Sequence, residues 1–103
     1  MAITSVQLTT TAANIVYGTS AQSKGVTAIY LCNVNTSAQT ANVFLVPAGG
    51  TAANCKIYSN LSIATSDTHI SDTERIILDA GDSIWANCST NGTIVMTIST
   101  MGV

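Results

Sequence analysis

The chain has 103 residues, the length of a single domain spanning residues 1–103. Charged residues are only 8% and hydrophobic residues 47%, where an ordinary soluble domain carries about 25% charged residues. A net charge of −2, with Lys24, Lys56 and Arg75 isolated from one another, argues against nucleic acid as a partner, because phosphate binding needs clustered cations.

The residue choice is β throughout. Thr, Val and Ile are abundant, stiff at χ1 and suited to a pleated surface. No window shows the apolar stripe of an amphipathic helix. Residues 3–9 set Ile3, Ser5 and Gln7 on one side and Thr4, Val6 and Leu8 on the other. The next strand is expected over 14–18, around Ile15-Val16-Tyr17. Residues 26–34 are apolar on both faces: Val26, Ala28, Tyr30, Cys32 and Val34 on one, Ile29 and Leu31 on the other. A strand of that kind belongs in the middle of a sandwich or under a neighbouring subunit. Further strands are expected over 41–46, 56–63, 75–78, 83–88 and 93–99, with 64–74 read as a polar connection.

The turns carry fitting chemistry. Pro47-Ala48-Gly49-Gly50 ends a strand, since Pro withholds a ladder donor and Gly accepts positive φ. Asp79-Ala80-Gly81-Asp82 reads as a tight turn. Asn91-Gly92 between two apolar runs is a hairpin signal and predicts that the last two strands pair. Seven or eight short strands at this spacing predict an all-β antiparallel sandwich of jelly-roll type.

Residues able to do chemistry are sparse. His69 is the only histidine, and its nearness to Ser71 and Asp72 in sequence does not make the geometry of a triad. All five acidic residues fall between Asp67 and Asp82, without the spacing of a calcium loop. Asp67, Asp72, Asp79 and Asp82 read as turn residues. The three cysteines, Cys32, Cys55 and Cys88, are too far apart for a zinc or redox pair. Their odd number leaves at least one free thiol. Reduced thiols are the expectation, with a Cys32–Cys88 bridge the alternative. Met1-Ala2-Ile3-Thr4 has neither the charged start nor the apolar core of a secretory signal, and no stretch reaches the roughly 20 apolar residues of a membrane span. No catalytic, metal or cofactor residue is assigned.

A small core with a neutral Thr/Ser/Asn surface suits permanent contact with other protein. Interface positions are therefore expected at Trp85, which alternates with Ile84 and Ala86 and so points away from them, and at Ile29, Leu31 and Tyr58. The expected assembly is a homo-oligomer.

Four stretches together resemble small β-sandwich structural proteins of tailed-bacteriophage virions. They are Ile29-Tyr30-Leu31-Cys32-Asn33 followed by Asn35-Thr36-Ser37; Phe44-Leu45-Val46-Pro47-Ala48-Gly49-Gly50; Asp67-Thr68 with Asp72-Thr73; and Leu78-Asp79-Ala80-Gly81-Asp82-Ser83-Ile84-Trp85-Ala86. The order and spacing extend over roughly residues 15–100. The three cysteines and the position of Trp85 depart from what is typical of such proteins. The resemblance implies a non-enzymatic virion component without cofactor, made in the host bacterial cytoplasm. It implies a trimer that decorates or cements a capsid by binding the major capsid protein. The alternatives are a tail, baseplate or fibre component, or a carbohydrate-binding host-recognition module.

Overall fold

A computed structural model describes residues 2–19, 21–51, 55–71 and 76–102. Nine strands follow in chain order: β1 (Ala2–Gln7), β2 (Ala13–Tyr17), β3 (Lys24–Asn33), β4 (Gln39–Val46), β5 (Lys56–Ile63), β6 (Thr68–Ser71), β7 (Ile76–Leu78), β8 (Ser83–Cys88) and β9 (Ile94–Gly102). There is no helix among the described residues. Sheet A runs β1-β9-β3, with β6 and β7 both on the far side of β3; sheet B runs β2-β8-β4-β5. β6 pairs with residues 29–32 of β3 and β7 with residues 24–26. The two short strands thus share one strand position. The result is an antiparallel sandwich with the eight-position winding of a jelly roll, as the β-branched bias and turn spacing predict.

The core lies between the sheets. Sheet A supplies Ile29, Leu31, Ile94, Met96 and Ile98, and sheet B supplies Val43, Ile84, Ala86 and Cys88, all buried. Full burial of one such Leu or Ile is worth about 1.5–3 kcal/mol. Because β9 alternates strictly, Val95, Thr97 and Ser99 fall on the outer face of sheet A.

Three expectations need correction. Asn91-Gly92 does not close a hairpin. β8 lies between β2 and β4, and β9 between β1 and β3, so each already has two neighbours and the chain crosses from one sheet to the other. The turn chemistry itself persists: Gly92 has φ 74°, and the Thr10 amide donates to Asn91 Oδ1 at 2.7 Å. Second, a bulge divides the apolar positions of β3 differently from strict alternation, and only one of its two apolar faces lies in the chain's own core. The register against β9 shifts between Val26 and Ala28. Val26 faces the core before the bulge, and Ile29, Leu31 and Asn33 face it afterwards. Third, the connection read as polar contains β6. Its core-side positions are His69 and Ser71, and its one large apolar side chain, Ile70, points outward. The strand expected to start at residue 75 is seen from Ile76; residues 72–75 lie outside the described residues.

Two polar devices fix the ends of the sandwich. Asn33 is 1% exposed and spends its whole amide on the backbone. Nδ2 donates to the carbonyls of Ser37 (3.0 Å) and Ile63 (2.9 Å), and Oδ1 accepts from the Asn35 amide (2.8 Å). That explains why a buried polar side chain is tolerated inside an apolar layer. At the other end, Asp82 joins two turns. One carboxylate oxygen accepts from the Ala48 amide (2.9 Å) and the other from the Asp79 amide (3.1 Å). Gly49 and Gly81, with φ of 79° and 87°, occupy the third turn positions where positive φ favours glycine.

Candidate docking face

The outer face of sheet A is assembled by strict alternation. β1 contributes Ile3, Ser5 and Gln7; β9 contributes Val95, Thr97 and Ser99; β3 contributes Tyr30 and Cys32; β6 and β7 contribute Thr68, Ile70 and Ile77. Not one of these side chains is charged. Four large apolar side chains stand open to solvent on this face: Ile3 at 72% exposure, Ile70 at 50%, Ile77 at 48% and Tyr30 at 37%. Tyr30 pairs with Ile70 on one side and Thr97 on the other, and Ser5 Oγ meets Thr97 Oγ1 at 3.2 Å. A broad face of apolar and hydroxyl groups without charge is the surface that protein partners bury most readily.

The outer face of sheet B is different, because most of its side chains engage one another, while Tyr17 at its β2 edge stands 53% exposed with the Lys24 ammonium 5.6 Å from its ring centre. Phe44 lies opposite Trp85 on β8, and the Lys56 ammonium stands 5.7 Å from the Phe44 ring centre, within cation–π range. Trp85 Nε1 donates to Ser83 Oγ at 2.9 Å, which satisfies the indole without a partner chain. Beside them runs an amide ladder. Asn42 Oδ1 accepts from the Asn60 amide (2.8 Å), Asn42 Nδ2 donates to Asn87 Oδ1 (2.9 Å), and Asn87 Nδ2 donates to the Thr10 carbonyl (3.3 Å).

The four residues expected at an interface separate in space. Ile29 and Leu31 are buried in the chain's own core, so the fold covers them without a second subunit; Tyr30 and Cys32 hold the outer positions between them and beyond. Trp85 does point away from Ile84 and Ala86, onto the outer face of sheet B, where it is half-buried. Tyr58 belongs to the edge of sheet B and reaches across to sheet A. Its hydroxyl donates to Ser71 Oγ (3.1 Å) and its ring meets the His69 ring at 5.2 Å, with the planes at 81°. Sequence reasoning missed Ile3, Ile70 and Ile77 as surface positions. Single exposed isoleucines look like core residues until the strand order places them side by side.

The remaining candidates are placed as follows in the fold. His69 sits against Tyr58, with Nε2 buried and without a hydrogen-bond partner. Asp67 Oδ1 accepts from the Thr68 amide (2.9 Å), and Asp79 Oδ1 from the Ser23 hydroxyl (2.8 Å). These are the contacts of turn and loop residues. Asp72 and Glu74, with the Asp72-Thr73 pair, lie outside the described residues. Among the described residues no three His, Cys, Asp or Glu side chains gather into a metal site. All three cysteines are free. Cys32 faces outward from sheet A whereas Cys88 is in the core, donating to the Thr90 carbonyl at 2.9 Å, so the alternative bridge between them has no geometry to form.

The chain matches no protein-family model, and comparison with curated proteins and with solved structures returns no significant similarity.

Proposed function

We propose that the chain is a non-enzymatic structural subunit of a tailed-bacteriophage virion, a decoration protein that stabilises the head by packing against the major capsid protein and further copies of itself. The observation that carries the reading is the outer face of sheet A. Ile3, Tyr30, Ile70 and Ile77 lie exposed there in a field of hydroxyl and amide groups, with no charge among its described residues. A monomer ordinarily protects such a face with charge. Covering it with another protein removes apolar area from water at about 25 cal/mol per Å². The resemblance of the four sequence stretches to phage structural proteins selects the virion as the setting. A tail, baseplate or fibre position is the second reading, since a neutral face packs equally well there.

The test is incorporation. A chain carrying Tyr30→Glu and Ile70→Lys puts an opposite-charge pair in place of two outward side chains that face each other across β3 and β6 and leaves the core intact. It should keep the wild-type circular dichroism spectrum and melting transition and be lost from gradient-purified particles. Retention of the folded variant at the wild-type level would overturn the assignment of this face.

A further inference from the structure

We infer that β1 is an open pairing edge and that a second copy of this chain occupies it, β1 against β1, antiparallel across a two-fold axis. The inference rests on the reading above that the chain works by assembling, and it names one contact and its partner.

The sandwich has four edge positions, and three of them carry features that discourage strand addition. β2 carries a register shift between Asn14 and Val16. β5 carries two shifts, and its Asn60 has φ 52°. The fourth-position strands of sheet A, β6 and β7, are only four and three residues long. Bulges and short strands of this kind are how sheets blunt their edges. β1 has none of these features. It runs six residues, Ala2–Gln7, in unbroken register with β9, and it contains no charge, proline or glycine.

The hydrogen-bond phase of β1 is fixed by its C-terminal end. The Leu8 amide donates to the Ile94 carbonyl at 2.9 Å. In an antiparallel ladder the bonding residues alternate, so Thr4 and Val6 turn their backbone groups toward β9. Ile3, Ser5 and Gln7 turn theirs outward. The close Ser5–Thr97 hydroxyl contact fits this phase, because side chains approach more closely across non-bonded pairs.

These outward groups complement themselves. With Ser5 on the two-fold axis, Ile3 of one copy stands opposite Gln7 of the other. The three outward N–H and three outward C=O groups of each strand then form six hydrogen bonds, with none left over. No charge faces its own image. The two A sheets join into one, and their uncharged outer faces become continuous. The contact is modest: a six-residue strand is about 20 Å long, and the molecule's smallest dimension is 20 Å. That gives about 400 Å² per partner, against about 800 Å² in a standard interface. The dimer should therefore dissociate on dilution in solution and be favoured where copies are held close together.

The experiment is amide hydrogen exchange by NMR on the full chain at about 10 µM and about 1 mM, with the mass at each concentration from sedimentation equilibrium. The mass should double from 10.6 kDa, and the amides of Ile3, Ser5 and Gln7 should gain about tenfold protection or more. Those of Thr4 and Val6, already bonded to β9, should be protected at both concentrations. Ser5→Pro removes an outward donor and leaves the β9 ladder intact; it should stay monomeric with an unchanged melting transition. Ser5→Lys places like charges on the axis and should do the same. A monomer at 1 mM, a dimer whose Ile3, Ser5 and Gln7 amides exchange freely, or a dimer that survives Ser5→Pro would each overturn the inference. Because these readouts use purified chain, their failure leaves the particle-incorporation test of the outer face standing on its own.

Discussion

Tyr58 and His69 face each other edge to plane, 5.2 Å apart, and between them they close one side of the sandwich. Tyr58 stands on β5 at the edge of sheet B, His69 on β6 at the edge of sheet A. The Tyr58 hydroxyl continues past the imidazole to Ser71. Aromatic pairs in this orientation add stabilisation beyond simple burial.

Tyr58→Phe should keep the ring contact and lose the bond to Ser71, lowering stability by about 1 kcal/mol. Tyr58→Ala should remove both and cost about 2–3 kcal/mol. Urea denaturation monitored by Trp85 fluorescence measures the two. Equal losses in the two variants would mean that the ring contact contributes nothing.

Asn33→Ala should cost about 2–4 kcal/mol, because two carbonyls and one amide lose their partner in a buried place. Asn33→Asp keeps an acceptor for the Asn35 amide but sets a carboxylate against the carbonyls of Ser37 and Ile63. It should be less stable than the alanine variant at neutral pH. Thermal melts of the three proteins give the order, and an aspartate variant as stable as wild type would refute the account of this network.

Gly18 separates a close approach from a backbone requirement. A Cβ there would lie 2.3 Å from the Asp79 carbonyl oxygen and 2.4 Å from that of Leu78, at the point where the Gly18 amide donates to the Asp82 carbonyl. Gly18→Ala should cost about 2–3 kcal/mol or more through forced backbone shifts. Gly49 has open space around it but φ of 79°, so Gly49→Ala should cost only about 1–2 kcal/mol. The reverse order in denaturant midpoints would contradict this packing.

Strand positions were legible because alternation and turn chemistry are local. Residues 56–63 and 83–88 can be bounded from Ile, Leu and Trp spacing alone, and Trp85 can be turned outward by its alternation with Ile84 and Ala86. Sheet membership was not legible. Asn91-Gly92 specifies a sharp turn but not whether the next strand pairs or crosses over. The β3 bulge is equally hidden, since Thr27 carries no mark of it, and the bulge decides that Ile29 and Leu31 point inward. β6 was invisible because its core-side residues, His69 and Ser71, are polar and find their partner, Tyr58, on a different strand. The docking face emerges only when Ile3, Tyr30, Ile70 and Ile77, distant in sequence, are laid on one sheet.

The central claim is that the chain is a building block of a phage head. Quantitative mass spectrometry of purified phage particles tests it most directly by counting copies of the chain per particle against the major capsid protein. The account predicts hundreds of copies, as a lattice-covering subunit requires. A handful would move the chain to the tail, and its absence from washed particles would contradict the claim.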